Sequence, residues 1–144
     1  MEQENVIICT VPVAGDVLKI APGPELEFES GPVLELEFES GQVLISDEHE
    51  QDCYEQVYAD WEQLDAYAQA IKDGGPYTGL TIKGIPEMGI LLVFEKALLP
   101  VKVFVPCYNK QNGYYSSDLA LSVTYSGQGA TYDVSDYVDS VYEI

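Results

Sequence analysis

The chain has 144 residues, 47% of them apolar, and carries 25 acidic side chains against six lysines and no arginine, for a net charge of −19. That length and apolar content suit one folded domain with its own core and exclude a disordered chain. Six scattered lysines inside so negative a field cannot displace the counterions of a nucleic acid or hold an anionic bilayer. The partners to expect are basic protein surfaces, cations or neutral molecules, with no nucleic acid and no membrane.

The opening Met1-Glu2-Gln3-Glu4-Asn5 is acidic and lacks the basic start of a secretory leader, and no apolar run approaches the ~18–20 residues of a membrane span. Cys9, Cys53 and Cys107 are odd in number and far apart, which reads as reduced thiols in a cytoplasm. Residues 6–11 (Val-Ile-Ile-Cys-Thr-Val) read as a buried strand ended by Pro12. The segment Glu25-Leu26-Glu27-Phe28-Glu29-Ser30-Gly31 then recurs ten residues later as Glu35-Leu36-Glu37-Phe38-Glu39-Ser40-Gly41. Each copy alternates apolar and acidic residues with period two, and the Ser-Gly steps supply turns. A three-stranded meander over 25–29, 33–39 and 43–46 follows from the pattern.

From Cys53 to Lys72 the period changes. Val57, Trp61, Leu64, Ala68 and Ile71 recur at three- and four-residue steps, which predicts an amphipathic helix over 53–72. Asp52 and Glu55 are placed as a capping box, and Gly74-Gly75-Pro76 stops the helix. Strands follow at 79–84, 89–95 and 101–105, then an Asn112-Gly113 turn and a strand at 119–125. The tail 132–144 spaces Asp133, Asp136 and Asp139 by three residues and reads either as a short acidic helix or as an irregular arm. The expected fold is a single α+β domain over 1–144, with its core over 33–125 and an acidic C-terminal arm or short helix over 126–144. A mostly antiparallel sheet of six to eight strands would pack on one amphipathic helix (53–72) through Trp61, leaving a glutamate-rich face.

Gln51-Asp52-Cys53-Tyr54-Glu55 opens the expected helix, and Asn109-Lys110-Gln111-Asn112-Gly113-Tyr114-Tyr115 precedes the last strand. In this order the two motifs resemble a family of small bacteriophage and bacterial domains without an established activity. That family's pattern runs strand, Gln-Asp-Cys-Cys-Glu, helix, strands, Asn-x-x-Asn-Gly-Tyr-Tyr, strand. The resemblance covers residues 33–125 and implies the same fold, a phage or bacterial origin and so the cytoplasm of a bacterial host, but no reaction. Tyr54 stands where the family usually has a second cysteine, so a paired-cysteine role does not carry over.

Glu25, Glu27, Glu29, Glu35, Glu37 and Glu39 are the leading candidate partner-binding residues, joined by Asp133, Asp136 and Asp139. Same-face strand residues lie ~6.6–6.8 Å apart and strands ~4.8 Å apart, so the six glutamates could tile a sheet face at near-phosphate spacing. Like charges set across strands destabilise a sheet, so the cost points to use as a nucleic-acid mimic; the competing reading is a solvated, solubilising face. Asn109, Asn112, Tyr114 and Tyr115 offer amides and phenols for a small molecule, or else form an ordinary hairpin turn with the tyrosines packed on the sheet. The run Asp47-Glu48-His49-Glu50-Gln51-Asp52 lacks the central glycine and closing glutamate of a calcium loop and reads as a polar turn. His49 and Cys53 stand four apart, but the surrounding acids keep that thiol protonated. No catalytic residue, metal site or cofactor is expected. The function that follows is a phage-type interaction protein, an acidic antagonist of a host nucleic-acid-binding defence protein such as a CRISPR effector. The alternative is a protein that sequesters a host signalling molecule through the 109–115 loop.

Overall fold

Period-two alternation, β-branched residues and short turns dominate the chain, and in a computed structural model, which describes residues 5–22, 33–48, 57–109 and 119–140, most of it is strand. The strands are β1 (Val6–Val11), β2 (Val17–Pro22), β3 (Val33–Phe38), β4 (Gly41–Glu48), β5 (Val57–Ala59), β6 (Gly79–Ile85), β7 (Gly89–Glu95), β8 (Val101–Asn109), β9 (Ala120–Tyr125), β10 (Gln128–Asp133) and β11 (Asp139–Ser140). A 3-10 turn (Trp61–Tyr67) leads into one short helix, α1 (Ala68–Gly74), and a second 3-10 turn spans Ser135–Tyr137. One sheet runs β1-β6-β7-β8-β11 with β5 also on β8; the other runs β10-β9-β4-β3-β2. All pairings are antiparallel except β11 on β8.

The alternating side chains explain why two sheets form and face each other. Leu34, Leu36 and Phe38 on β3 and Val43 and Ile45 on β4 are buried, as are Leu80, Ile82, Ile90, Leu92 and Phe94 on β6 and β7. Phe38 and Phe94 meet across the gap with ring centroids 6.2 Å apart. Each such side chain contributes roughly 1.5–3 kcal/mol on burial. The core reaches past 33–125 at both ends, taking in Val11, Val13 and Val17 before it and Val134 and Val138 after it.

The loop between β1 and β2 ties the layers together. Gly15 exchanges backbone hydrogen bonds with Tyr77, and Ser40 N donates to Ala14 O in the β3–β4 turn. Gly15 sits at φ +97°, and a Cβ there would lie 2.7 Å from the Glu39 Cβ, so both conformation and space require glycine.

The expected arrangement of one sheet on one helix over 53–72 is corrected: the layer opposite each sheet is the other sheet, and the described part of that segment is not one helix. Val57, Tyr58 and Ala59 instead pair with Asn109, Tyr108 and Cys107 of β8. The available strand partner overrides the helical spacing there. Trp61, Leu64 and Ile71 are buried as the periodicity implies, but residues three apart share a face in a 3-10 turn as well as in an α-helix. The stop at Gly74 is where the sequence places it. Two side chains serve the helix's C-terminal carbonyls: Tyr77 Oη donates to Ile71 O, and Lys96 Nζ donates to Gly74 O at 2.7 Å. Asp52 and Glu55 lie outside the described residues.

Of the expected meander, the second and third strands form as β3 and β4, and 25–29 lies outside the described residues. β2 pairs along the free side of β3, with a bulge between Val17 and Lys19. The described part of the tail, to Ser140, is an irregular arm rather than a helix: β10 closes a hairpin with β9, a 3-10 turn follows, and β11 pairs in parallel with Tyr108 and Asn109. Packing drives this, because Val134 and Val138 are buried and the Tyr137 ring lies over Gly84, where a Cβ would come within 2.5 Å of it.

Candidate functional site

Glu35 and Glu37 project from the outer face of the five-stranded sheet, because Leu34, Leu36 and Phe38 take the inner one. They do not face other glutamates across the strands. Glu37 lies between Lys19 of β2 and Gln42 of β4, and Glu35 between Ala21 and Leu44. Lys19 Nζ reaches Glu35 Oε2 at 3.3 Å, and Gln42 Nε2 donates to Glu35 Oε1. Further across, β4 and β9 present Ser46, Ser122 and Thr124. The like-charge grid expected on this face is therefore replaced, among the described residues, by two glutamates with cationic, amide and neutral neighbours. Cross-strand pairing prefers such partners to like charges. Glu25, Glu27 and Glu29 lie outside the described residues.

Glu39 has left the strand. It occupies the β3–β4 turn, where Asp16 N donates to Glu39 Oε1 at 2.8 Å and Glu39 N donates to Asp16 O at 3.0 Å. Exposed acids thus gather at this end of the sandwich, beside Phe38 and the C-terminal end of β7. A second acidic group forms at the opposite end, before β7 begins. There Glu87 N donates to Asp136 O at 2.9 Å, which brings the β6–β7 turn against the tail. Glu87, Asp133 and Asp136 are all exposed. Asp139 contributes backbone to β11 at the same tail.

Asp133 has a defined role in that group. Ser135 Oγ donates to Asp133 Oδ1 at 2.6 Å and Ser135 N donates to the same oxygen at 3.0 Å. The hydroxyl bond first, and the backbone bond after it, hold the Asp133 carboxyl below the usual aspartate value. Ser135 Oγ also accepts from Leu119 N at 3.0 Å, so this turn anchors the tail to the start of β9.

A feature that the motifs did not reveal lies at the open side of the sandwich. Between β1 and the β9–β10 hairpin is a cleft of about 410 Å³, walled by Cys9, Thr10 and Pro12 on one side and Tyr125, Gln128 and Tyr132 on the other. Among the described residues, no charged side chain lines it. Burial pushes the Cys9 thiol up, offset in part by its hydrogen bond with Tyr132, so it is a poor nucleophile at neutral pH. Burial, then the neighbouring Cys9, likewise raises Tyr132. The sequence signal for this hairpin is Ser126-Gly127, whose φ values of +52° and +78° are those of a tight two-residue turn.

Among the alternative ligand residues, Asn109 ends β8, its backbone paired with Val57 and Ser140, while Asn112, Tyr114 and Tyr115 lie outside the described residues. Asp47 and Glu48 close β4, and His49, Asp52 and Cys53 lie outside the described residues. Among the described residues, no helix is long and apolar enough to cross a membrane. No protein-family model, no curated protein and no solved structure matches the chain.

Proposed function

We propose that the chain is an acidic interaction protein that antagonises a host nucleic-acid-binding defence protein by occupying its basic surface, in the cytoplasm of a bacterial host. The observation that carries the reading is charge: 25 acids against six lysines, with no arginine. Two of the six lysines are also engaged locally, which leaves the net charge of −19 as it is. Lys19 is held by Glu35, and Lys96 is spent on the carbonyl of Gly74. Asp16 and Glu39 at one end and Glu87, Asp133 and Asp136 at the other stand exposed. Such a field raises the encounter rate with basic partners and repels nucleic acids and other acidic proteins. The acidic segment 25–29, with the Gln51–Glu55 and Asn109–Tyr115 motifs that resemble phage and bacterial domains, supports the same reading.

The test is capture of partners from bacterial lysate on the tagged protein, eluted with a salt ladder and identified by mass spectrometry. A basic nucleic-acid-binding protein that leaves as salt rises through ~0.2–0.5 M, where exposed charges are screened within a few ångströms, is the expected result. A partner whose binding is indifferent to salt, and to charge reversal at Glu37, Asp133 and Asp136 together, overturns it.

A further inference from the structure

A sheet edge offers a row of backbone N–H and C=O groups to any other chain, and proteins blunt their edges with bulges, prolines, lysines or short strands. Most edges here are blunted. β2 carries a bulge, a lysine at Lys19 and a terminal Pro22. β1 carries a bulge between Ile7 and Cys9. β5 and β11 are three and two residues long, and the Trp61–Tyr67 turn packs on β8. β10 differs. Among the described residues it has β9 as its one strand neighbour, pairs six residues with it in unbroken register, and contains no proline, lysine or bulge.

The hairpin fixes which β10 groups face outward. In a two-residue hairpin the closing pair, Tyr125 with Gln128, and every second pair beyond it exchange ladder bonds. The N–H and C=O of Gly129 and Thr131 therefore point away from β9. The side chains of Gln128, Ala130 and Tyr132 stand opposite Tyr125, Val123 and Leu121, on the inward side, and line the cleft beneath β1. One more strand on β10 would satisfy the outward backbone groups and drop alternate side chains into that cleft.

We propose that the β10 edge and its cleft are a docking site for an extended segment of a partner protein that carries lysine or arginine on its outward and flanking positions. The proposal rests on the reading of the chain as an acidic protein with a basic partner. Charge selects the occupant. β10 ends at Asp133, with exposed Asp136 and Glu87 at the same end, so cations are favoured there, while the uncharged cleft wall favours small or apolar inward residues. A second copy is disfavoured because it would set −19 against −19.

The probe is a synthetic peptide of alternating lysine and valine, compared with polylysine of equal length, an alternating threonine–valine peptide, and the lysine–valine peptide N-methylated at every second residue. Binding is read by titration, and the edge by amide hydrogen exchange at Gly129 and Thr131. The lysine–valine peptide is expected to slow both amides by about tenfold or more. N-methylation is expected to weaken binding by a similar factor without any change in the protein. Thr131→Pro removes an outward N–H and spares the β9 ladder, so it is expected to do the same. If polylysine binds as well and neither amide is protected, the edge proposal falls while the acidic reading stands. If the threonine–valine peptide protects the amides equally well, the basic occupant is wrong and the acidic reading loses this support. Sedimentation showing self-association that Thr131→Pro abolishes assigns the edge to a second copy and overturns the proposal.

Discussion

Tyr77→Phe separates a hydroxyl from a ring. Tyr77 is 2% exposed, and its ring lies 5.5 Å from that of Phe94 and 6.4 Å, edge-on, from that of Phe38. Its hydroxyl donates to Ile71 O in α1, a helix of seven residues that is too short to persist without tertiary support. Phenylalanine keeps the ring contacts and deletes one donor. A neutral hydrogen bond is worth about 0.5–1.5 kcal/mol net, and a buried carbonyl left unsatisfied costs about 1–3 kcal/mol. The expected loss is thus about 1–2 kcal/mol, against about 3–5 kcal/mol for Tyr77→Ala, which also removes the ring. With a urea slope of about 1–3 kcal/mol per molar, Tyr77→Phe lowers the midpoint by roughly 0.3–2 M at unchanged slope.

The same variant has a pH signature. Burial, then the charge of Asp16, raises Tyr77 above the usual tyrosine value. A raised acid gives stability that is complete below the unfolded value, ~10, and lost as pH rises through the folded one. Tyr77→Phe should therefore flatten the fall of stability above pH ~10. Denaturation by urea at several pH values, followed by circular dichroism, supplies both readings. A midpoint equal to wild type, or one as low as that of Tyr77→Ala, refutes the assignment of the hydroxyl to the end of α1.

Gly84→Ala should cost about 1–3 kcal/mol by driving a methyl into the Tyr137 ring, and Tyr137→Ala in the same chain should recover part of it; additive losses in the double-mutant cycle would contradict the contact. Ser135→Ala removes the hydroxyl bond that depresses Asp133, so the carboxyl should titrate closer to an ordinary aspartate by NMR. A depressed acid gives stability present above its unfolded value and lost as pH falls, so this variant should also lose part of the acid-side slope. An unchanged Asp133 titration would refute the turn geometry. Lys19→Met should change stability by no more than about 1 kcal/mol, because the Lys19 side chain is exposed and the Glu35 side chain only partly buried; a larger loss in thermal unfolding would show that the pair does more than its geometry implies.

Strand positions were legible where the side-chain period was unbroken. Residues 6–11, 89–95 and 119–125 alternate or run apolar between turn residues, and β1, β7 and β9 fall there within a residue, but β1 is not the buried strand its apolar run implies, since Val6 and Ile7 are exposed. β2 was not read because the bulge at Leu18, 56% exposed, breaks the alternation between Val17 and Ile20. β10 was not read because Gln128-Gly129-Ala130-Thr131 is almost wholly exposed and carries no apolar stripe; only the Ser126-Gly127 turn after a strand announced it. The helix is shorter than its periodicity implies because three- and four-residue spacing marks a buried face without fixing the backbone that presents it, and the partner for Val57–Ala59 lies some fifty residues on, in β8. The same limit applies to the described glutamates of the acidic face. Alternation places Glu35 and Glu37 on one side, but which strands lie beside them decides the local field, and Lys19 arrives from β2, a strand the pattern concealed.

Competition for a basic surface is the central claim, and displacement of nucleic acid tests it most directly. A fluorescent duplex bound to a basic protein captured from lysate is titrated with the acidic chain, and anisotropy is followed at ~0.1 M and ~0.5 M salt. The account expects the duplex to be released at low salt, release to weaken at high salt, and the Glu37, Asp133 and Asp136 charge-reversal variant to release less. A stable complex of all three components, with anisotropy rising as the chain is added, would show that the acidic protein binds elsewhere and would contradict the account.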